Sequence, residues 1–335
     1  MKQRPWAREG SMRAWLPERR VDGPLPAGER DIEALNRLFA EAFTDRYRRD
    51  GLVGVRVPPL NPRVWSYALR DAGEGAMLWH DEDGRLVAFN VAHRCGSEGW
   101  MGPLAVRVDR QGSGVGKTIV LAATEWLLDH GVTTLGLETM PRTVENIGFY
   151  AHLGFLPGHL TLTMTRELAV RRRGGSAPGL LSRLAPPARD EALTAAHALV
   201  ESLAPGYDFT REIQLTADLG LGDTVLVPGA DGLSAFALWH SASLAAERIS
   251  DELRVLKLAA RDAAAFEAVL AAVEASAAHA GLRRVAVRCQ SRFDPAFRAL
   301  IARGYQVRWT DLRMHLDGYP ERPINEGVLF SNWEI

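Results

Sequence analysis

A short glycine-rich run lies where the sequence predicts that a strand gives way to a helix. It reads Gln111-Gly112-Ser113-Gly114-Val115-Gly116 and is followed by Lys117. Glycine lets a backbone approach a ligand closely, and the first free amides of a helix point outward at the positive end of its dipole. The run therefore predicts a cradle for a phosphate or pyrophosphate group. A tight turn that binds nothing is the alternative that the run alone leaves open.

Two phosphate cradles of other families match the run only in part. A Walker A loop ends as Gly116-Lys117-Thr118 does, but its first glycine would fall on Gln111. A Rossmann fingerprint fails because its third glycine would fall on Lys117. A nucleotide-binding ATPase is therefore the weakest of the functions that the sequence leaves open.

The elements around the run form a strand, helix, strand, helix unit. Residues 104–108 and 133–139 have the apolar and β-branched character of buried strands, and helical spacing runs from Val115 to His130. The last helix ends in Phe149-Tyr150-Ala151-His152-Leu153-Gly154-Phe155. Upstream, the patterns predict a helix over 29–43, a short helix around Trp65, a hairpin of 76–80 with 86–94, and a strand over 98–108.

This pattern resembles the GNAT N-acetyltransferase superfamily. The acetyl-coenzyme A signature of that family, Gln/Arg-x-x-Gly-x-Gly/Ala, is read here as Gln111-x-x-Gly114-x-Gly116, and residues 149–155 match its aromatic-Tyr-x-x-x-Gly-Phe ending. The resemblance implies an α/β (α+β) fold with a mixed, mostly antiparallel twisted sheet flanked by helices. It also implies acyl transfer from acetyl-coenzyme A without a metal.

The resemblance assigns roles to individual residues. The pantetheine arm of acetyl-coenzyme A would meet the backbone of Leu104, Ala105 and Val106, and the pyrophosphate would meet the amides of Gln111, Gly112, Ser113, Gly114, Val115 and Gly116, with Lys117 as an added charge. Tyr150 would protonate the leaving thiolate, and Asn146 would contact the coenzyme or the tyrosine. Glu98 and Glu138 are the candidates for a general base, and a solvated or salt-bridged carboxylate is the alternative for each. A water chain could replace either.

The second part of the chain repeats the first faintly. Phe236 and His240 follow Phe89 and His93 by 147 positions (236 − 89 and 240 − 93), which indicates an internal duplication. Glycines farther along recur at 150 positions (281 − 131 and 304 − 154). With the offset of 150, the signature residues Gln111, Gly114, Gly116 and Tyr150 map to Arg261, Ala264, Phe266 and Leu300. We therefore expect the second copy to bind no coenzyme and to shape the substrate cleft of the first.

These patterns predict three parts of the chain. Residues 1–167 would form the catalytic domain that binds acetyl-coenzyme A, with a possible strand around residues 12–16. Residues 168–187, rich in Arg, Gly and Pro, would form a linker. Residues 188–335 would form a degenerate GNAT-like domain with a structural or substrate-shaping role.

Composition excludes several classes of function. Forty Lys and Arg residues nearly balance 41 Asp and Glu residues, so no nucleic-acid partner is predicted. The two cysteines lie in different halves and the histidines share no ligand spacing, so we expect neither a disulfide nor a metal site. No segment has the length and apolar character of a signal peptide or membrane span.

We therefore expect a cytoplasmic acyltransferase, as a monomer or a homodimer, that acts on a small-molecule amine or a peptide. A coenzyme-binding sensor or scaffold without turnover is the alternative.

Overall fold

The structure is a computed structural model that describes residues 21–168, 179–246 and 248–334. We call residues 21–168 the first half and residues 179–334 the second half. The first half contains β1 (Asp22–Pro26), α1 (Ile32–Arg49), α2 (Pro62–Ala72), β2 (Ala76–His80), β3 (Leu86–Cys95), β4 (Glu98–Val106), α3 (Val115–Asp129), β5 (Thr134–Thr139), α4 (Val144–His152) and β6 (Phe155–Glu167). The second half contains α5 (Pro186–Leu203), α6 (Thr210–Asp218), β7 (Gly222–Gly229), β8 (Gly232–His240), β9 (Glu252–Ala260), α7 (Ala263–His279), β10 (Arg284–Gln290), α8 (Asp294–Ala302), β11 (Gln306–Leu316) and β12 (Val328–Ser331).

Helix α1 extends beyond its predicted end. Helix α1 continues past Phe43 because its last turns carry ion pairs between residues four apart, Arg46 with Asp50 and Arg49 with Asp45. The possible strand around residues 12–16 lies outside the described residues.

The end of the predicted linker is helical. Pro186 and Pro187 form the first turn of α5. Proline is well tolerated there because the first amides of a helix have no acceptor within the helix.

The order of elements occurs twice, as the internal repeat predicts. From α1 to β6, the first half runs α, α, β, β, β, α, β, α, β, and the second half runs in the same order from α5 to β11. Strand β1 precedes the repeat in the first half, and β12 follows it in the second.

All of these strands belong to one sheet, because the two halves exchange their last strands. The order is β1-β2-β3-β4-β5-β11-β6-β10-β9-β8-β7, with β12 paired to β9. Strand β11 lies between β5 and β6, and β6 lies between β11 and β10. Only β4 with β5 and β9 with β10 pair in parallel among the described strands. The predicted fold class is confirmed, and the exchange adds that the two copies share a continuous sheet.

The hydrophobic cores also cross between the halves. Helix α3 packs on one face of the sheet, which we call the α3 face, in a core that includes Met314 and Leu316 of β11. Helices α1 and α2 cover the opposite face, the α1 face, in a core that includes Leu221 and Trp333. Neither core of the first half is therefore complete without residues of the second.

Residues 1–168 expressed alone should not reach the structure that they have in the full chain. Strand β6 would lose both of its neighbours and β5 would lose β11, and unpaired strand edges favour aggregation. Circular dichroism and size-exclusion chromatography of the fragment check this, and co-expression with residues 179–335 should restore a soluble complex. A monomeric fragment with a cooperative thermal transition would contradict the exchange.

Candidate active site

The sheet opens between β4 and β5. The two strands pair from Glu98 opposite Thr134 to Met101 opposite Leu137, and the pairing ends there. Strand β4 continues to Val106, and its other edge stays paired with β3. Among the described residues, no strand pairs with the β5-side edge of β4 beyond Met101. We call this open edge, residues 102–106, the slot.

The slot contains the three residues expected to meet the pantetheine arm. Leu104, Ala105 and Val106 lie opposite Asn90, Phe89 and Ala88 of β3. Residues 104 and 106 contact the α3-face core, whereas Ala105 belongs to the α1-face core. An extended ligand with amide groups can therefore hydrogen-bond to this edge as an added strand would.

The glycine turn follows the slot directly and has the geometry of an anion cradle. Gly112 and Gly114 have φ values of 76° and 93°, in the left-handed region that glycine adopts without strain. A Cβ atom added at either position would have no neighbour within 4 Å, so the space above the turn is open. Gly114 is the N-cap of α3.

The amides of this turn are available to a ligand. Within the described residues, the amides of residues 112–117 donate to no protein acceptor, whereas the Thr118 amide bonds to the Gly114 carbonyl at 3.2 Å. The side chains of Gln111 and Ser113 brace the turn by donating to the carbonyls of Val106 (3.0 Å) and Arg110 (2.6 Å). Lys117 is exposed beside the turn. Successive free amides at a helix start suit a pyrophosphate.

Gly116 has a second role in packing. A Cβ atom at this position would lie 3.4 Å from the Phe149 ring of α4. This glycine therefore lets α4 approach the first turn of α3.

Tyr150 lies on α4 in the same apolar cluster as Val115, the first residue of α3. Its ring contacts those of Phe149 and Phe155, at 5.1 and 6.1 Å between centroids. Burial raises the pKa of the Tyr150 phenol well above its ordinary value. Among the described residues, its hydroxyl has no hydrogen-bond partner, so it remains a protonated donor that a ligand can use.

Asn146 lies in the first turn of α4 and is half-buried. Its backbone amide donates to the Thr143 carbonyl at 3.0 Å. The Thr143 hydroxyl donates to Asp50 of α1 at 2.5 Å.

Glu98 does not lie in the slot. It stands at the closed end of the β4–β5 pairing, and its side chain is buried. Ser331 donates to one carboxylate oxygen at 2.6 Å, and the Trp333 indole donates to the other at 2.9 Å. The expectation that Glu98 acts as a base is therefore not supported, because its oxygens anchor the C-terminal segment.

Glu138 lies beside the slot but is engaged in salt bridges. It accepts from Arg313 at 2.8 Å and from Thr161 at 2.6 Å, and it also pairs with Arg288. Burial alone would raise the pKa of this carboxyl, but the two guanidinium groups outweigh burial and lower the pKa to about 2. So weak a base is a poor proton acceptor at neutral pH. The structure thus favours the salt-bridged alternative.

A third carboxylate on the same face was not found from the sequence. Asp311 pairs with Arg288 at 3.1 Å and accepts from the Trp309 indole at 3.2 Å. Burial raises the pKa of Asp311 to about 6, with Arg288 opposing and Glu138 adding to the increase. No motif marks this residue, because β11 reaches β5 only through the strand exchange.

Two aromatic rings flank Asp311. The rings of Trp309 and Tyr47 of α1 lie 6.3 Å apart, and 38% of Trp309 is exposed. Asp311 also contributes to a raised pKa of the Tyr47 phenol, although burial is the larger cause. The two halves thus meet around Asp311.

In the second half, the place that corresponds to the slot is filled by the chain itself. Strand β12 pairs with β9 from Val328 opposite Ala260 to Ser331 opposite Lys257. The Phe330 ring packs against the rings of Phe266 and Phe293, at 5.7 and 5.6 Å. A bound acyl chain would have to displace this strand.

The second helix start is also occupied. Helix α7 begins at Ala263, which makes Asp262, and not Ala264 as the offset of 150 predicts, the counterpart of Gly114. The Asp262 carboxylate accepts from the Ala265 amide at 2.8 Å. A side-chain anion thus occupies the position that a phosphate would need.

Within the ranges that the structure describes, no group of three or more His, Cys, Asp and Glu side chains could hold a metal ion. In those same ranges, no helix combines the length and apolar character needed to span a bilayer.

Residues 33–155 match the acetyltransferase (GNAT) family. This part of the chain contains the open strand edge, the turn of free amides and the buried phenol of Tyr150. No curated protein sequence is similar enough to count as a relative.

Solved structures match nearly the whole chain at low identity, which concerns the fold alone. A GCN5-related N-acetyltransferase from Sphaerobacter thermophilus has a TM-score of 0.57 and 18% identity, over 93% of this chain and 100% of that one. A tandem GNAT protein from the clavulanic acid biosynthesis pathway has a TM-score of 0.54 and 14% identity, over 90% and 100%. The N-myristoyltransferase of Saccharomyces cerevisiae with bound myristoyl-CoA has a TM-score of 0.62 and 13% identity, over 96% and 88%.

Gly114→Glu should abolish acetyl-coenzyme A binding, because it places a carboxylate among the free amides. Calorimetric titration should show one site per wild-type chain and at least a hundredfold weaker binding in the variant. Gly131→Glu is the matched control, because Gly131 also has a positive φ (77°) and open space but follows the other end of α3. Two sites per chain, or equal losses in both variants, would contradict this assignment.

Glu138→Gln should lower the free energy of unfolding by about 3 kcal/mol at pH 7, because it leaves two buried guanidinium groups short of a partner. The pKa of Glu138 is lower in the folded state, so its contribution is present above about pH 4.5 and is lost towards pH 2. Urea unfolding at several pH values should show the difference from wild type narrowing in that window. Glu167→Gln, at an exposed pair, should change stability by less than about 0.5 kcal/mol.

Proposed function

We propose that this protein transfers an acetyl group from acetyl-coenzyme A to a primary amine of a small molecule or peptide, by direct attack within a ternary complex. The observation that carries the proposal is the continuous path from the free edge of β4 to the free amides of residues 112–117. A pantetheine arm and a pyrophosphate need these two surfaces in this order. The match of residues 33–155 to the acetyltransferase (GNAT) family supports an acyl-coenzyme A donor.

The chain's own groups would hold the donor at both ends. Backbone groups of Leu104, Ala105 and Val106 pair with the amides of the pantetheine arm, and the helix start of α3 binds the pyrophosphate. Lys117 adds a positive charge at the rim. When bound, the coenzyme supplies a thioester that an amine can attack.

Tyr150 is our candidate for the general acid. Its hydroxyl is free of protein partners among the described residues, and its raised pKa keeps it protonated at neutral pH. A phenol with so high a pKa donates to a thiolate only as the carbon–sulfur bond breaks. The donated hydrogen bond stabilises the leaving group.

Asp311 replaces Glu98 and Glu138 as our candidate for the base. An alkylamine at pH 7 is mostly protonated, and reaching its neutral form costs about 4 kcal/mol. Asp311 has a pKa of about 6, so it is ionised at pH 7 yet basic enough to take a proton. It lies on the α1 face, linked to Glu138 through Arg288.

The location of Asp311 also fits a cationic acceptor. Tyr47 and Trp309 present aromatic rings beside the carboxylate, and such rings attract ammonium groups. The charge of Arg288 is already divided among Glu138, Asp311 and Glu334. Asp311 therefore shares its guanidinium partner with two other carboxylates.

A coenzyme-binding sensor without turnover is the second candidate. The observation in its favour is that both carboxylates expected to act as bases are engaged in structural contacts. Tight acetyl-coenzyme A binding with no acetylation across a panel of alkylamines, arylalkylamines and lysine peptides would support it over the transferase.

If Asp311 is the base, kcat/KM for the amine should rise with pH through about 6, because the carboxyl must lose its proton before it can accept one. Asp311→Asn should lower the rate about a hundredfold and remove this acidic limb while leaving acetyl-coenzyme A binding unchanged. The groups that face Asp311 are Arg288, Glu138, Glu334 and the Trp309 indole, together with Tyr47.

Asp317→Asn is the control, since Asp317 is exposed just after β11. An unaltered pH profile in Asp311→Asn would remove Asp311 from the mechanism.

A further inference from the structure

A fully buried histidine bonds to the backbone where the slot begins. His93 of β3 lies with its Nδ1 atom 2.6 Å from a carboxylate oxygen of Asp71, in α2. Its Nε2 atom lies 3.1 Å from the carbonyl oxygen of Gly102. The imidazole stacks on the Trp100 ring with 4.0 Å between centroids and 11° between planes.

The two partners fix the protons on this ring. A backbone carbonyl only accepts, so Nε2 must carry a proton to bond to Gly102. The contact at Nδ1 with Asp71 fixes the orientation of the ring, and Arg211 lies 3.9 Å from the second Asp71 oxygen. The bond to Gly102 therefore depends on the tautomer that carries its proton on Nε2.

Gly102 occupies the first position beyond the paired part of β4. The last pair is Met101 with Leu137, and Gly102 has a φ of 150° that favours glycine. In a parallel ladder, carbonyls of one strand accept from amides of its neighbour. The Gly102 carbonyl instead accepts from His93. Gly102 is also the residue at which β4 and β5 separate.

The duplicated half supplies a natural comparison. His240, 147 positions later, bonds through Nε2 to the Thr216 hydroxyl at 2.9 Å, and its Nδ1 has no partner among the described residues. Burial lowers the pKa of His240 well below its ordinary value, so this ring is neutral. It bonds to no carbonyl of β9, and there the chain itself fills the slot with β12.

We propose that His93, oriented by Asp71, is a positioning residue that keeps the acyl-coenzyme A slot open by donating from Nε2 to the Gly102 carbonyl. The inference rests on the proposed function, because it assigns the slot to the coenzyme. His93 is buried and need not touch the acyl group; it acts through the backbone of β4.

The first test observes the ring in the wild-type protein and needs no substitution. Nitrogen-15 NMR of protein labelled at histidine should show that Nε2 of His93 carries a proton. A His93 ring without a proton on Nε2 would overturn the proposal whatever the enzyme does.

The second test separates the bond to Gly102 from the contact with Asp71. In Asp71→Asn, the amide NH2 can donate to Nδ1, so the ring keeps its proton on Nε2 and its bond to the Gly102 carbonyl. We expect KM and Kd for acetyl-coenzyme A to stay within about twofold of wild type in this variant. A loss as large as that in His93→Phe would overturn the assignment to the Nε2 bond.

His93→Phe should raise KM and Kd for acetyl-coenzyme A about tenfold, with kcat and the KM of the amine nearly unchanged, because phenylalanine keeps a ring over Trp100 but cannot donate. His240→Phe is the matched control and should bind acetyl-coenzyme A as wild type does. Equal affinity in wild type and His93→Phe would overturn the positioning role. Absence of binding in wild type would instead overturn the proposed function, and the NMR result would still decide whether Nε2 of His93 carries a proton.

Discussion

The antiparallel pairing of β6 with β11 is the interaction on which the rest of the structure depends. It runs from Gln306 opposite Thr165 to Leu316 opposite Phe155, and each strand has its other neighbour in the opposite half. Because the exchanged strands are central in the sheet, neither half can bury its own cores without the other. The second half therefore contributes to the site of the first. Strand β11 pairs with the edge of β5 that faces away from β4, and it carries Asp311 and Arg313.

A buried ion network fixes the register of this junction. Glu138 of β5 bonds to Arg313 of β11 and Arg288 of β10, and Arg288 reaches Asp311 and the C-terminal Glu334. Buried ion pairs contribute little net stability but are costly to break, so they discriminate against shifted strand pairings more than they stabilise the correct one. The two guanidinium groups lower the pKa of Glu138. Asp311 shares one guanidinium group with other carboxylates, and burial raises its pKa to about 6.

The local parts of the site could be predicted from the sequence, and the parts that depend on strand pairing could not. Glycines at 112 and 114 indicate a left-handed turn whatever the remainder of the chain does, and the element order follows from periodicity. The base depends on which strand lies beside β5, and no periodic pattern encodes the identity of a neighbouring strand. The family resemblance implies Glu98 and Glu138 as candidate bases, although the distant Ser331 and Arg313 determine what their carboxylates bond to. The spacing of His93 and His240 indicates the internal repeat, but it does not predict that His93 bonds to both a carboxylate and a backbone carbonyl.

The C-terminal segment links the filled slot of the second half to the open slot of the first. Strand β12 pairs with β9, and the residues that follow it cross to the first half, where Trp333 covers Gly136 and donates to Glu98. The buried Lys257 secures the crossing, because its ammonium bonds to Ser331 and to the Asn332 carbonyl. Burial alone would lower the pKa of Lys257, but nearby groups that include Glu212 raise it above its ordinary value. Without β12, this edge of β9 would be an unpaired strand edge, which favours aggregation. The segment that fills the slot of the second half therefore continues into the α1-face core of the first, where Trp333 packs at the closed end of the β4–β5 pairing.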